Sequence, residues 1–138
     1  MLTLDKFIEK NNGKFIDYDG HWGYQCTDCM REYIIECLSL SPYSTIPATN
    51  YAKNMFVNYK GKDFTKIKNT PKGVPKRGDI IFWGWSWPTT GIAGHVGIVV
   101  SANVNNFIVF NQNYPTNSPC LLRKFNYRGV LGWLSIKK

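Results

Sequence analysis

The stretch DYDGHWGYQCTD, residues 17–28, gathers three aspartates, a histidine and a cysteine into twelve positions. Two kinds of chemistry fit it. Oxygen donors at alternating positions of a tight loop, closed by a carboxylate at the twelfth, can build a flexible calcium shell from one segment. Asp17, Asp19, His21, Gly23 and Asp28 stand at positions 1, 3, 5, 7 and 12. A hard cation does not choose imidazole, so His21 and Gly23 would contribute backbone carbonyls. Trp22 stands where helix-loop-helix calcium sites need a turn glycine, and Asp28 replaces their final glutamate. The competing reading makes Asp17 and Asp19 turn residues and Asp28 a first-turn complement to a helix dipole.

Cys26 supports the second chemistry. A thiol at a helix N-terminus feels the positive end of the dipole, which favours the nucleophilic thiolate. Cys26 also opens an apolar stripe of Cys29, Met30, Tyr33, Ile34, Cys37 and Leu38, so it is either an activated nucleophile or the first buried residue of that face. Read as a redox C-x-x-C, Cys26 and Cys29 lack the preceding strand of a βαβ unit. A bare Asp28 would oppose ionisation of Cys26, and a bound dication would remove the conflict.

A catalytic cysteine needs a histidine to exchange protons and a third group to hold the ring. The chain has two histidines. His21 lies within the proposed metal loop, whereas His95 follows TTGIAG and opens an apolar strand, where a side chain can face a cleft. The alternative for His95 is a satisfied histidine at a strand end. In FNQN, Asn111 and Asn113 share one face by the two-residue alternation of a strand. Either could accept from the imidazole N–H or help stabilise an oxyanion, although asparagines are also ordinary turn formers.

These residues need elements to position them. Thr3 caps a helix carrying Leu4, Phe7 and Ile8 that ends near Gly13. A second helix starts at Cys26 and is stopped by Ser41-Pro42; SPYSTIPATN is expected to be irregular, and residues 49–57 to form a third helix. After the turn-rich KNTPKGVPKRG, short β segments follow: DIIFW (79–83), HVGIVV (95–100), NFIVFNQN (106–113), LLRKF and GVLGWLSI. Helices first and strands later predict one α+β domain over residues 1–138, with an antiparallel sheet.

Composition bounds the rest. A chain of 138 residues, 43% hydrophobic and 15% aromatic, can bury a real core, so its four cysteines are read as thiols and not as staples. A net charge of +8 favours an anionic partner, whether nucleic acid, membrane surface or charged wall polymer. MLTLDKFIEKNN lacks the uninterrupted apolar run of a signal peptide, and no stretch is long enough to span a membrane. Action outside the producing cell would require release by another route.

The ordered segments GYQCTD, GDIIFW, GHVGIVV and IVFNQN, with the closing YRGVLGWL, resemble the cysteine, histidine-dependent amidohydrolase/peptidase (CHAP) domain of bacteriophage endolysins and other peptidoglycan hydrolases. The resemblance implies a papain-like α+β fold of the NlpC/P60 type, N-terminal helices packed on an antiparallel sheet. It implies Cys26 as nucleophile and His95 as base, acting on a wall-peptide amide as an endopeptidase or N-acetylmuramoyl-L-alanine amidase. Many members carry glutamate at the position of Asn111, followed two residues later by the asparagine matching Asn113. Some endolysins of the family bind calcium at the positions of Asp17, Asp19, His21, Gly23 and Asp28, which makes Ca2+ the expected structural cofactor.

Trp83, Trp85 and Trp87 would then line a cleft for peptide or glycan. The expected partner is bacterial peptidoglycan, with neither nucleic acid nor membrane, and the expected state is a monomer. Such a protein would be made in the host cytoplasm and released to the wall, or carried in a virion. Rival readings are a transferase using the same dyad, a wall-binding module without turnover and a basic nucleic-acid binder. Against the last, the aromatics cluster near the proposed cleft and do not alternate with basic residues.

Overall fold

The structure, a computed structural model, describes residues 1–20, 25–84 and 93–137. Among these residues, four helices precede the sheet: α1 (Leu4–Asn11), α2 (Cys26–Leu38), α3 (Pro42–Thr45) and α4 (Ala52–Val57). Thr3 caps α1, its hydroxyl accepting from the Lys6 N–H at 3.2 Å. At the start of α2, the Asp28 carboxylate reaches back to the N–H of Gln25 at 2.9 Å, satisfying a donor that the helix cannot.

The far end of α2 differs from expectation. The helix stops at Leu38, where Ser39 turns left-handed at φ 55° and its N–H returns to the Ile34 carbonyl. Pro42, expected only to end a helix, instead starts α3, because its fixed φ suits a first helical turn. The stretch expected to be irregular therefore contains one short helix, and α4 begins at Ala52, three residues later than the expected start.

Six strands follow among the described residues: β1 (Phe64–Lys68), β2 (Ile80–Trp83), β3 (His95–Ala102), β4 (Asn106–Asn111), β5 (Leu121–Asn126) and β6 (Val130–Ile136). They form one antiparallel sheet in the order β1-β6-β2-β3-β4-β5. Both faces of the sheet are covered. Ile80 and Phe82 of β2 join the core beneath the helices with Phe7, Met30 and Ile34. Ile81 and Trp83 point the other way, into a second cluster with Val99, Phe107, Phe125 and Trp133. This double burial is why IIFW reads as a continuous apolar run. α2 packs against β3, and that contact sets the site.

All four cysteines are free thiols. Among the described residues, no helix is long and apolar enough to cross a membrane.

Candidate active site

The first residue of α2 and the first of β3 meet at one cleft of about 960 Å³. Cys26 is half-buried there, and its neighbour Gln25 also lines the cleft. Burial pushes the Cys26 thiol up to about 11; backbone groups at Val96, Thr27 and Cys26 pull it down, while the Asp28 charge raises it further. The dipole that should favour the thiolate is thus outweighed in the free protein.

His95 is 1% exposed. Its Nε2 lies 2.8 Å from Asn111 Oδ1, while the Asn111 amide donates to the Leu121 carbonyl at 3.2 Å and so fixes which atom faces the ring. Nε2 therefore carries the proton and donates, which leaves Nδ1 as the basic nitrogen. Burial lowers the ring to about 4, against the upward pull of the Asn111 hydrogen bond. At neutral pH the pair is a neutral thiol and a neutral imidazole, and the structure has no hydrogen bond between them. Such a ring keeps Nδ1 unprotonated and able to accept, although a base near 4 draws weakly on a thiol near 11.

Local structure places His95 with little freedom. Gly94 adopts φ +75°, and a Cβ there would come within 2.5 Å of the Trp83 carbonyl and 2.8 Å of Lys53 Cβ. Only glycine fits this close approach. The imidazole then lies between Trp83 and Tyr114, at centroid distances of 5.2 and 6.0 Å.

Gln112, a residue sequence reasoning passed over, ties the surroundings together. It is fully buried, its Oε1 accepts from the Ile16 N–H at 2.7 Å, and its Nε2 donates to the carbonyls of Ile16 and Gln25, both at 2.8 Å. The Cys120 thiol donates to the same Oε1 at 3.4 Å. One amide thus joins the segment before the acidic loop, the residue before Cys26 and the turn after β4. The available signal was its place between two asparagines, one residue beyond the end of β4.

The carboxylates of Asp17, Asp19 and Asp28 lie within 4.8 Å of one another. Asp28 is 1% exposed, and burial together with the Asp19 and Asp17 charges raises it to about 6, against hydrogen bonds from the backbone at Gln25 and Asp19. Asp17 also accepts from the Gly20 N–H at 3.1 Å. Three converging carboxylates, with Asp28 raised by burial and by the other two charges, fit a hard dication, which would relieve the repulsion. His21 and Gly23 lie outside the described residues.

Residues 15–113 match the CHAP domain family, a span that includes Cys26, His95 and Asn111. The chain belongs to that family. It is 29% identical over 145 residues to Endolysin PlyTW of Staphylococcus phage Twort, covering 94% of this chain and 29% of that protein. Endolysin LysK of Staphylococcus phage K is 29% identical over 125 residues, covering 88% of this chain and 24% of LysK. A probable autolysin of Staphylococcus aureus is 31% identical over 115 residues, covering 80% of this chain and 22% of the autolysin. The chain thus spans less than a third of the length of these curated relatives. In fold it resembles the wild-type endolysin LysIME-EF1, with a TM-score of 0.75 at 23% identity, covering 99% of this chain and 65% of that one. Ly7917 gives 0.64 at 18% identity, covering 98% and 62%.

Two expectations for this CHAP domain need correction. Asn113 does not share a strand face with Asn111, because β4 ends at Asn111 and the alternation ends with it. Asn113 has φ 68°, and its Oδ1 accepts from the Asn117 N–H at 2.7 Å. It is a turn former that borders the cleft, and Asn111 is the partner of His95. Trp83 is not a cleft wall: it is 0% exposed and packs behind His95 against Phe107 and Phe125. Trp85 and Trp87 lie outside the described residues. Among the described residues, Tyr43, Tyr51 and Tyr114 border the cleft with aromatic side chains.

Proposed function

We propose that this CHAP domain hydrolyses an amide bond of bacterial peptidoglycan, with Cys26 as nucleophile, His95 as general base and acid, and Asn111 orienting the ring. The observation that carries the reading is the opening of Cys26 and a tautomer-fixed His95 into one cleft. The Cys26 thiol passes its proton to His95 Nδ1 as sulfur attacks the substrate carbonyl. The imidazolium then protonates the departing amine, leaving a thioester on Cys26. Water that gives a proton to His95 attacks the thioester and releases the acid and the free thiol. With an uncharged resting pair, the proton moves as the sulfur attacks and not beforehand. Asn111 offers the imidazolium a dipole and no charge, a weaker support than the glutamate of many family members.

Asp17, Asp19 and Asp28 would hold a calcium ion, with backbone carbonyls at His21 and Gly23 completing the shell. The ion would supply charge neutralisation that fixes the segment leading into Cys26. The relatives' names support action at the cell wall, and we place this domain's substrate there.

Clearing of purified Gram-positive walls by wild type, with loss of about a thousandfold or more in Cys26→Ala and His95→Ala proteins that remain folded, is the expected result. Mass spectrometry of the released termini then assigns the bond and separates endopeptidase from amidase. A reading as a wall-binding module without turnover draws on one observation, the missing Cys26–His95 hydrogen bond. Retention on walls with no released fragment, in calcium, would establish it over hydrolysis.

A further inference from the structure

The basic charge is unevenly placed. Residues 60–77 hold seven Lys and Arg against one Asp, so the rest of the chain is nearly balanced. Lys60, Lys62, Lys66 and Lys68 lie on β1 and the turn entering it, and all four are exposed. β1 is an edge of the sheet. The Lys137 N–H donates to the Asp63 carbonyl at 2.9 Å, which brings another exposed cationic residue to the same edge.

Lys66 is anchored, its Nζ donating to the Val57 carbonyl at 2.9 Å and standing 4.9 Å from the Phe56 ring. Lys60, Lys62 and Lys68 make no ion pair among the described residues. This edge also connects to the cleft. A groove of about 280 Å³ lined by Met55, Asn58, Tyr59 and Lys60 shares Thr49 and Met55 with the cleft that holds Cys26.

We propose that Lys60, Lys62 and Lys68 bind a phosphodiester polyanion carried by the bacterial wall, beside a glycopeptide seated in the cleft. The substrate half of this inference rests on the hydrolase reading; the binding half does not. Lys60 and Lys62 precede β1 and Lys68 ends it, so the three ammonium groups are strung along this edge over nine residues, an arrangement suited to a linear polyanion and not to a single anion. Nucleic acid fits less well, because single strands are held by exposed aromatic platforms. Here Phe56, Tyr59 and Phe64 are buried, and the Tyr59 hydroxyl accepts from the Phe64 N–H at 2.9 Å. A membrane surface asks for apolar side chains beside the cations. Val57 is the one exposed large hydrophobic residue between positions 52 and 68.

The test uses the whole chain with Lys60, Lys62 and Lys68 changed to Gln, against a control with Lys6, Lys14 and Lys124 changed to Gln, which alters net charge equally. Binding is measured to synthetic poly(glycerol phosphate), single-stranded DNA and phosphatidylglycerol vesicles over a salt series. The edge variant should bind poly(glycerol phosphate) about tenfold more weakly and lose about two from the slope of log K against log salt, while the control stays within about twofold of wild type. On walls, its KM should rise with kcat unchanged. After hydrofluoric acid removes phosphodiester polymers from the walls, edge variant and wild type should have equal rates.

Equal weakening in both triple variants would reduce the effect to net charge and overturn the proposal. Tighter binding of DNA or vesicles than of poly(glycerol phosphate) would overturn the choice of partner. A protein that binds the polymer through these lysines yet releases nothing from walls would support the binding edge and defeat the hydrolase reading. An active enzyme indifferent to these lysines would do the reverse.

Discussion

Burial of a neutral His95 should make the protein acid-sensitive by a calculable amount. The ring titrates near 4 in the folded protein against 6.5 ordinarily, so between those values the unfolded chain takes up a proton that the folded chain refuses. Stability from this residue is fully present above pH 6.5 and is lost as pH falls through 4. At 1.36 kcal/mol per pH unit the loss is about 3 kcal/mol, a large part of the roughly 5–15 kcal/mol that holds such a domain folded. Asp28 and Glu32, raised to about 6 and about 7, act with the opposite sign, because their folded-state neutral forms gain stability as pH falls. Comparison with His95→Gln cancels both. Urea unfolding of the two proteins at pH 7.5, 6, 5 and 4, followed by tryptophan fluorescence, gives the difference in stability at each pH. Packing lost in the variant appears as a constant offset. The wild-type advantage should shrink by about 3 kcal/mol on acidification, equivalent to roughly 10 °C in Tm. A difference that stays flat, or widens toward pH 4, would refute a neutral buried ring.

On the proposed mechanism the same ring would set the pH response of catalysis: with the base neutral down to about 4, the acid limb of kcat/KM should lie well below pH 6. Asn111→Asp should raise that limb by placing a charge against Nε2, whereas Asn111→Ala should cost about 10- to 100-fold in kcat with the limb little moved. EGTA should lower both Tm and wall clearing, with calcium restoring them in wild type and not in Asp19→Asn; an unchanged Tm would remove the metal assignment. Arg31 is 2% exposed, its guanidinium lies 4.4 Å from the Tyr43 ring, and it donates to the carbonyls of Pro42, at 2.7 Å, and Ile46. Arg31→Ala should therefore cost roughly 3 kcal/mol in urea unfolding, by leaving those carbonyls without a partner.

α2, β3 and the meeting of Cys26 with His95 at one cleft were legible because each rests on a strong local signal: an apolar stripe at helical spacing, an apolar run, and a histidine placed where such a run begins. β1 was not. FTKIK carries little apolar surface of its own, and it becomes a strand only through pairing with β6, from Phe64 opposite Ile136 to Lys68 opposite Gly132. The errors at Asn113 and Trp83 share one cause. Alternation assigns faces only while a strand lasts, and it says nothing about whether the second face is wet. β4 ended two residues before Asn113, and the face carrying Trp83 is covered by β4, β5 and β6 side chains. Gln112 was illegible because its three partners come from segments far apart in the sequence.

The junction of α2 with β3 has a consequence for how the proposed activity would fail. Cys26 belongs to the helical half and His95 to the sheet, so neither half holds both members of the proposed pair, and the two face one cleft only while the halves are docked. Slippage along that seam would silence the protein before its secondary structure melts. Turnover would then act as a strain gauge for one internal joint, reading a loosening that circular dichroism would miss.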